Sequence, residues 1–157
     1  NGDFETGTGA DAADWIQNEF APGTTLERIA ESPHSGVYSM KSVINWTSGS
    51  GPKAELIQTT AGGSIIGSQS VEFRFWYKGA LGTSEEASAN IKWLNAAGGE
   101  IGGTAWFTLT PTGTYQKFSQ TVSGPALTSR AKITIQLVGG TMPQTGTMYV
   151  DEVSFSN

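Results

Sequence analysis

The chain has 157 residues, with 21 Gly, 5 Trp, one His and no Cys, and its net charge at pH 7 is −5. That length holds one domain with a core of its own and is short for two. The lack of Cys excludes a disulfide frame, a thiol nucleophile and a thiolate metal site; the single His34 excludes multi-histidine zinc; no apolar run approaches the ~18 residues of a membrane span; and the acidic balance argues against nucleic acid as a partner.

The sequence reads as short strands between turns. Asn1 leads at once into an extended segment, Asn1–Glu5, which reads as a trimmed domain boundary. Asp11–Phe20 is the best helix candidate, although its apolar spacing is poor. Asn45-Trp46-Thr47 sits among Ser and Gly and reads as a loop. Val71–Lys78 alternates cleanly, with Val71, Phe73, Phe75 and Tyr77 on one face and Glu72, Arg74, Trp76 and Lys78 on the other. Glu85-Glu86 reads as a solvated loop. Further along, Ile91 and Trp93 share one parity, which turns Asn90 and Lys92 outward. If Phe107 and Leu109 are inward, Trp106 faces out. Tyr115–Val122 and Met148–Phe155 are strands. Lys132–Leu137 alternates, so Gln136 lies opposite Ile133, Ile135 and Leu137. Paired glycines and prolines punctuate these segments. Roughly ten strands with such turn signals predict an all-β antiparallel sandwich formed by residues 1–157 as one domain. The Thr/Ser/Gly-rich, Lys-poor surface suits an extracellular protein of bacterial origin.

Acidic residues mark both ends: Asp3 and Glu5 in the first segment, Asp151 and Glu152 in the last. Strands that pair there would gather carboxylates suited to a hard cation such as Ca²⁺; the alternative is two solvated strands.

Several motifs follow one another in an order that resembles a known family. These are Asn-Gly-Asp-Phe-Glu at the start, Trp15 in the next loop, His34-Ser35-Gly36-Val37-Tyr38-Ser39-Met40, Leu56-Ile57-Gln58, Val71–Gly79, Tyr115–Phe118, and Tyr149-Val150-Asp151-Glu152-Val153. Their order is similar to that of the jelly-roll carbohydrate-binding modules, of the type of families 4, 16 and 22. The resemblance implies a structural Ca²⁺ where the first strand, the His34 loop and the last strand meet. Glu5 and Asp151 would supply side-chain oxygens, and Asp3, His34 and Val37 backbone carbonyls. The His34 ring has no part in that role.

A sugar offers an apolar face to an aromatic ring and a rim of hydroxyls to polar groups. Trp76, flanked by charged residues two positions away on each side, is the leading stacking candidate, with Glu72 and Arg74 beside it. Trp15 is either a core plug or a platform. Trp46 is expected to edge the cleft, and Trp106 to contact ligand. Gln136, Asn90 and Lys92 are candidate partners for hydroxyls. The mixed-charge face around Trp76 suits a neutral β-glucan, mannan or xylan, and Arg74 with Lys78 leaves an acidic glycan open.

The expectation is a non-catalytic polysaccharide-binding module, monomeric, and part of a larger secreted glycoside hydrolase or polysaccharide lyase. Two alternatives stand beside it. A small jelly-roll polysaccharide-degrading enzyme could pair Glu72 with Glu55 across a cleft. A protein-binding, adhesin-like sandwich would bury Trp76.

Overall fold

The computed structural model describes residues 2–47, 51–140 and 144–156. All regular structure among them is strand. A small hairpin of β1 (Gly7–Thr8) and β2 (Asp11–Ala12) precedes two five-stranded antiparallel sheets. One sheet has the order β10 (Gln116–Ser123), β7 (Ser70–Ala80), β12 (Gln144–Ser156), β5 (Ser39–Trp46), β4 (Thr24–Ile29). The other has the order β3 (Ile16–Phe20), β6 (Lys53–Thr59), β11 (Arg130–Val138), β8 (Glu86–Leu94), β9 (Ala105–Leu109). They are called here the β7 sheet and the β11 sheet. The chain crosses between them repeatedly, as in a jelly roll.

Period-two patterning produces this sandwich. Val71, Phe73, Phe75 and Tyr77 point inward from β7, and Ile133, Ile135 and Leu137 from β11; all are buried. Phe73 meets Phe75, Phe118 and Phe155 at centroid distances of 5.2, 5.4 and 5.9 Å, mostly edge to face, the arrangement ring quadrupoles favour. Trp93 belongs to the same core, as its parity predicts.

The helix expected over Asp11–Phe20 is not formed. Asp14 takes a left-handed backbone, φ 67°, which breaks any helical run there. Beyond it Ile16, Asn18 and Phe20 alternate with Gln17 and Glu19 as an edge strand on β6. The Gln17 amide then bridges loop and sheet: its Oε1 accepts from Ala12 N at 2.9 Å, and its Nε2 donates to Leu26 O at 2.7 Å. Glu19 Oε1 accepts from Leu26 N at 2.6 Å. Side-chain bonds to nearby backbone, with the pairing on β6, thus decide a segment whose own pattern is ambiguous.

Trp46, expected on a loop, is the last residue of β5. It continues the inward series Met40, Ser42, Ile44 and is 4% exposed.

Candidate functional site

The outer face of the β11 sheet carries a shallow groove of about 370 Å³. The register places its residues in rows across the strands. One row runs Ile16, Ile57, Thr134, Asn90, Trp106. A second runs Asn18, Glu55, Gln136, Ser88, Thr108, and a third places Phe20 beside Lys53. On the other flank Lys132 lies between Thr59 and Lys92.

The rim and floor differ in character. Trp106 is 59% exposed on edge strand β9, and Ile16 and Phe20 are exposed on the opposite edge strand β3. The floor between them is polar. Gln136 Nε2 donates to Ser88 Oγ at 3.0 Å, and Lys53 pairs with Glu55 at 2.8 Å. Asn90 is 3% exposed, yet its side-chain oxygen has no hydrogen-bond partner. A buried amide oxygen left unpaired is costly unless something else donates to it. It lies in register beside Trp106.

Of the residues singled out from sequence, Trp106, Gln136, Asn90 and Lys92 therefore come together on one face. Alternation already puts Lys132 and Thr134 on the face of Gln136, and the structure agrees; sequence reasoning did not place Glu55, Lys53, Ile16 or Phe20 with them. Their outward parity was legible, but the sheet they share depends on strand order.

Trp76, Glu72 and Arg74 lie on the other sheet, on the outer face of β7. Glu72 and Glu55 consequently cannot face each other, and the two-carboxylate cleft is not formed. Glu72 accepts from Ser119 Oγ at 2.8 Å, and Arg74 approaches it at 3.6 Å. Trp76 is half-buried, with the His34 ring stacked on it at 4.0 Å and 15°. His34 Nδ1 lies 3.4 Å from Glu152 Oε2. The His34 ring, expected to be idle, thus covers one face of the indole. A hollow of about 850 Å³ opens beside Trp76, lined among others by Asp3, Asp14, Lys117 and Glu152.

Two further tryptophans leave the set of candidate contacts: for Trp15 one of its two readings holds, and Trp46 is corrected. Trp15 is 7% exposed and packs on Phe4 at 5.5 Å, so it is a core plug. Trp46 lies in the core and not at a cleft edge. Glu85, expected to be solvated, is 7% exposed and accepts from Gly82 N; the turn leading into β8 folds back over it.

The two ends of the chain meet at the 34–38 loop. Asp151 is fully buried; its Oδ2 accepts from His34 N at 2.8 Å and Ser35 N at 3.1 Å, and its Oδ1 from Glu152 N at 2.8 Å. Burial raises its pKa above the ordinary carboxylate value, against the pull of those three amides. Glu5 Oε1 accepts from Val37 N at 2.7 Å and Tyr38 N at 3.0 Å. Arg28 takes the Phe4 and Glu5 carbonyls, at 2.5 and 2.8 Å. Two carboxylates thus grip one loop, and Asp151 has no cationic partner among the described residues. No group of three or more His, Cys, Asp or Glu forms a metal cluster among the described residues. The expected set needs only two carboxylates and completes its shell with carbonyls, so its oxygen-only chemistry fits a hard cation.

No family model and no curated protein matches the chain. Solved structures do. A tailspike protein domain of bacteriophage CBA120, described as enzymatically active, superposes with a TM-score of 0.73 at 15% identity; the match covers 92% of this chain and 19% of that one. A family 61 carbohydrate-binding module, solved with β-1,4-galactotriose, gives 0.60 at 15% identity, over 98% of this chain and 90% of the module. The C-terminal family 22 carbohydrate-binding module of Clostridium thermocellum Xyn10B gives 0.62 at 10% identity, again over 98% and 90%. The chain spans about a fifth of the tailspike domain and nearly the whole of each module. At such identities the likeness shows the fold: a jelly-roll sandwich of the kind found in carbohydrate-binding modules.

Proposed function

We propose that the chain is a non-catalytic polysaccharide-binding module and that the β11-sheet groove is its binding face. The observation that carries this is Trp106, open to solvent beside the unpartnered oxygen of Asn90. One sugar stacks its C–H face on the indole and donates a hydroxyl to Asn90. Gln136 and Thr134 serve the next positions along the row, and Phe20 and Ile16 meet the chain at the far edge. Such contacts, each worth about 1 kcal/mol net with stacking somewhat more, correspond to dissociation constants of roughly micromolar to millimolar.

Catalysis is not the reading favoured here. Glu55 is the one carboxylate among the residues lining the groove, whereas glycoside hydrolysis needs two, placed across the scissile bond. The neighbours of similar size are binding modules by name. As part of a longer secreted bacterial chain, the module would raise the local substrate concentration for a tethered glycoside-active domain.

A structural Ca²⁺ is part of the proposal. Glu5 and Asp151 would hold it with the carbonyls of Asp3, His34 and Val37. When bound it would join first strand, loop and last strand, as a disulfide does in other small domains.

The test is affinity electrophoresis of the chain through β-glucan, mannan, xylan and polyuronate gels, with serum albumin as the mobility reference. Retardation in at least one gel, abolished in Trp106→Ala and kept in Trp76→Ala, is the expected result. Retardation lost only in Trp76→Ala moves the site to the other sheet, and retardation in none removes the binding reading.

A further inference from the structure

The groove reverses the charge of the molecule around it. The chain has a net charge of −5, yet three lysines and one glutamate line the groove: Lys53, Lys92, Lys132 and Glu55. Lys53 is matched by Glu55, 2.8 Å away. Lys92 reaches outward to Glu100 at 2.9 Å, an exposed pair of the kind that contributes little to stability. The Lys132 ammonium has no ion pair or hydrogen bond among the described residues.

Register makes this arrangement unfavourable in the free protein. Lys132 lies directly opposite Lys92 on neighbouring strands. Side chains so placed start about 5 Å apart at Cβ, and like charges there destabilise a sheet. The chain has only 9 Lys and Arg in all, and nothing in the core depends on where these two stand. Their row is two residues along the strands from the Thr134–Asn90–Trp106 row, or about 7 Å. A lysine side chain spans that distance while its ammonium stays at the surface.

We infer that the groove takes an acidic polysaccharide, whose carboxylate or sulfate ester is held by Lys132 together with Lys92 beside the sugar stacked on Trp106. This rests on the glycan-binding reading above and narrows it. An anion placed between two ammonium groups relieves their repulsion and makes charge-assisted hydrogen bonds, about twice as strong as neutral ones. The basis for expecting a neutral ligand, the mixed-charge face around Trp76, belongs to the other sheet. A nucleic acid would meet the same lysines, but the groove has no Arg and too few cations to track a phosphate backbone.

Titration calorimetry on the full chain tests this. The probes are polygalacturonate, alginate, glucuronoxylan, a sulfated galactan, carboxyl-reduced polygalacturonate, unsubstituted xylan and oligo(dT). At least one acidic polymer should bind at least tenfold more tightly than every neutral one, more weakly as salt rises. If that polymer is polygalacturonate, its carboxyl-reduced form isolates the carboxylate. Lys132→Met should weaken the acidic polymer about tenfold, the size of one charge-assisted bond, and leave any neutral polymer unchanged. Lys132 is half-exposed and its charge opposes that of Lys92, so the variant should melt no lower than the wild type; Lys132→Arg should restore binding. The sulfated galactan against the polyuronates tells ester from carboxylate. Neutral polymers bound as tightly as acidic ones, or a silent Lys132→Met, overturn the inference and leave glycan binding intact. Oligo(dT) bound as tightly as the best acidic glycan overturns it in favour of nonspecific anion binding. No binding to any polymer overturns the glycan-binding reading itself.

Discussion

Removing the Trp106 ring is the sharpest perturbation of the groove. A tryptophan side chain presents up to about 250 Å², and Trp106 is 59% exposed, so roughly 150 Å² is open to ligand. A pyranose covers one face of the indole, about half of that. At ~25 cal/mol per Å² this is close to 2 kcal/mol, or about a 30-fold rise in Kd. Trp106→Ala should therefore weaken polysaccharide binding by one to two orders of magnitude. Its exposed position on an edge strand keeps the stability change within about 0.5 kcal/mol. Calorimetry reads the first quantity and thermal unfolding the second. The quenching of tryptophan fluorescence on ligand addition should vanish with the ring, since Trp15, Trp46 and Trp93 are buried and Trp76 lies on the other sheet. If Trp106→Ala binds as tightly as the parent while folded, the stacking argument fails and the groove is not the site.

Other expectations concern the frame. Gly36 has φ +62°, and a Cβ there would collide with the Glu5 carboxylate. Gly36→Ala should cost about 1–3 kcal/mol in unfolding free energy, from left-handed strain and the displaced hydrogen bonds, seen as a lower denaturant midpoint. Millimolar Ca²⁺ should raise the melting temperature, EDTA should reverse the rise, and Asp151→Asn should abolish it; a melting temperature indifferent to both reagents refutes the metal. The Tyr115 hydroxyl, pushed up to about 12 chiefly by burial, donates to Ser32 O at 2.8 Å. Its neutral form is favoured in the folded state, so its contribution is complete below pH 10 and lost as pH rises through about 12. Tyr115→Phe should flatten the fall of melting temperature between those values.

The fold was legible where side chains obey one period. Val71–Lys78 and Lys132–Leu137 alternate without exception, and both are strands of the expected parity. Trp46 shows how a real signal is masked. It closes the inward series of β5, but Ser42 interrupts the apolar pattern and polar neighbours suggest a loop. Asp11–Phe20 was misread because its two strand pieces are short, and the longer one pairs with β6, some way along the chain. Outward parity found Asn90, Lys92, Trp106 and Gln136, but not which of them share a sheet with Trp76. Strand order is set by crossings between sheets, and no local pattern encodes it. The ring of His34 on Trp76 joins residues 42 positions apart, beyond any reading of spacing.

Size alone would place a ligand in the hollow beside Trp76, which is more than twice the volume of the groove. Chemistry points the other way. One face of the Trp76 indole is already stacked on His34, Arg74 lies 3.6 Å from Glu72, and Glu152 lies 3.4 Å from His34 Nδ1. That hollow also adjoins the 34–38 loop and the chain ends, where Phe4, Asp14 and Glu152 adopt left-handed backbones. Strain of this kind persists where surrounding contacts over-determine it, and here the buried Asp151 and the gripped loop provide those contacts. In the groove an indole is open to solvent, a buried amide oxygen beside it has no donor, and the Lys132 ammonium has no counter-ion among the described residues. A surface whose rings and charges are already covered gains little from a ligand, whereas one that leaves a ring and a cation unmet gains at each. By that criterion the smaller hollow is the candidate binding face, and the larger one adjoins the residues that hold the ends of the chain together.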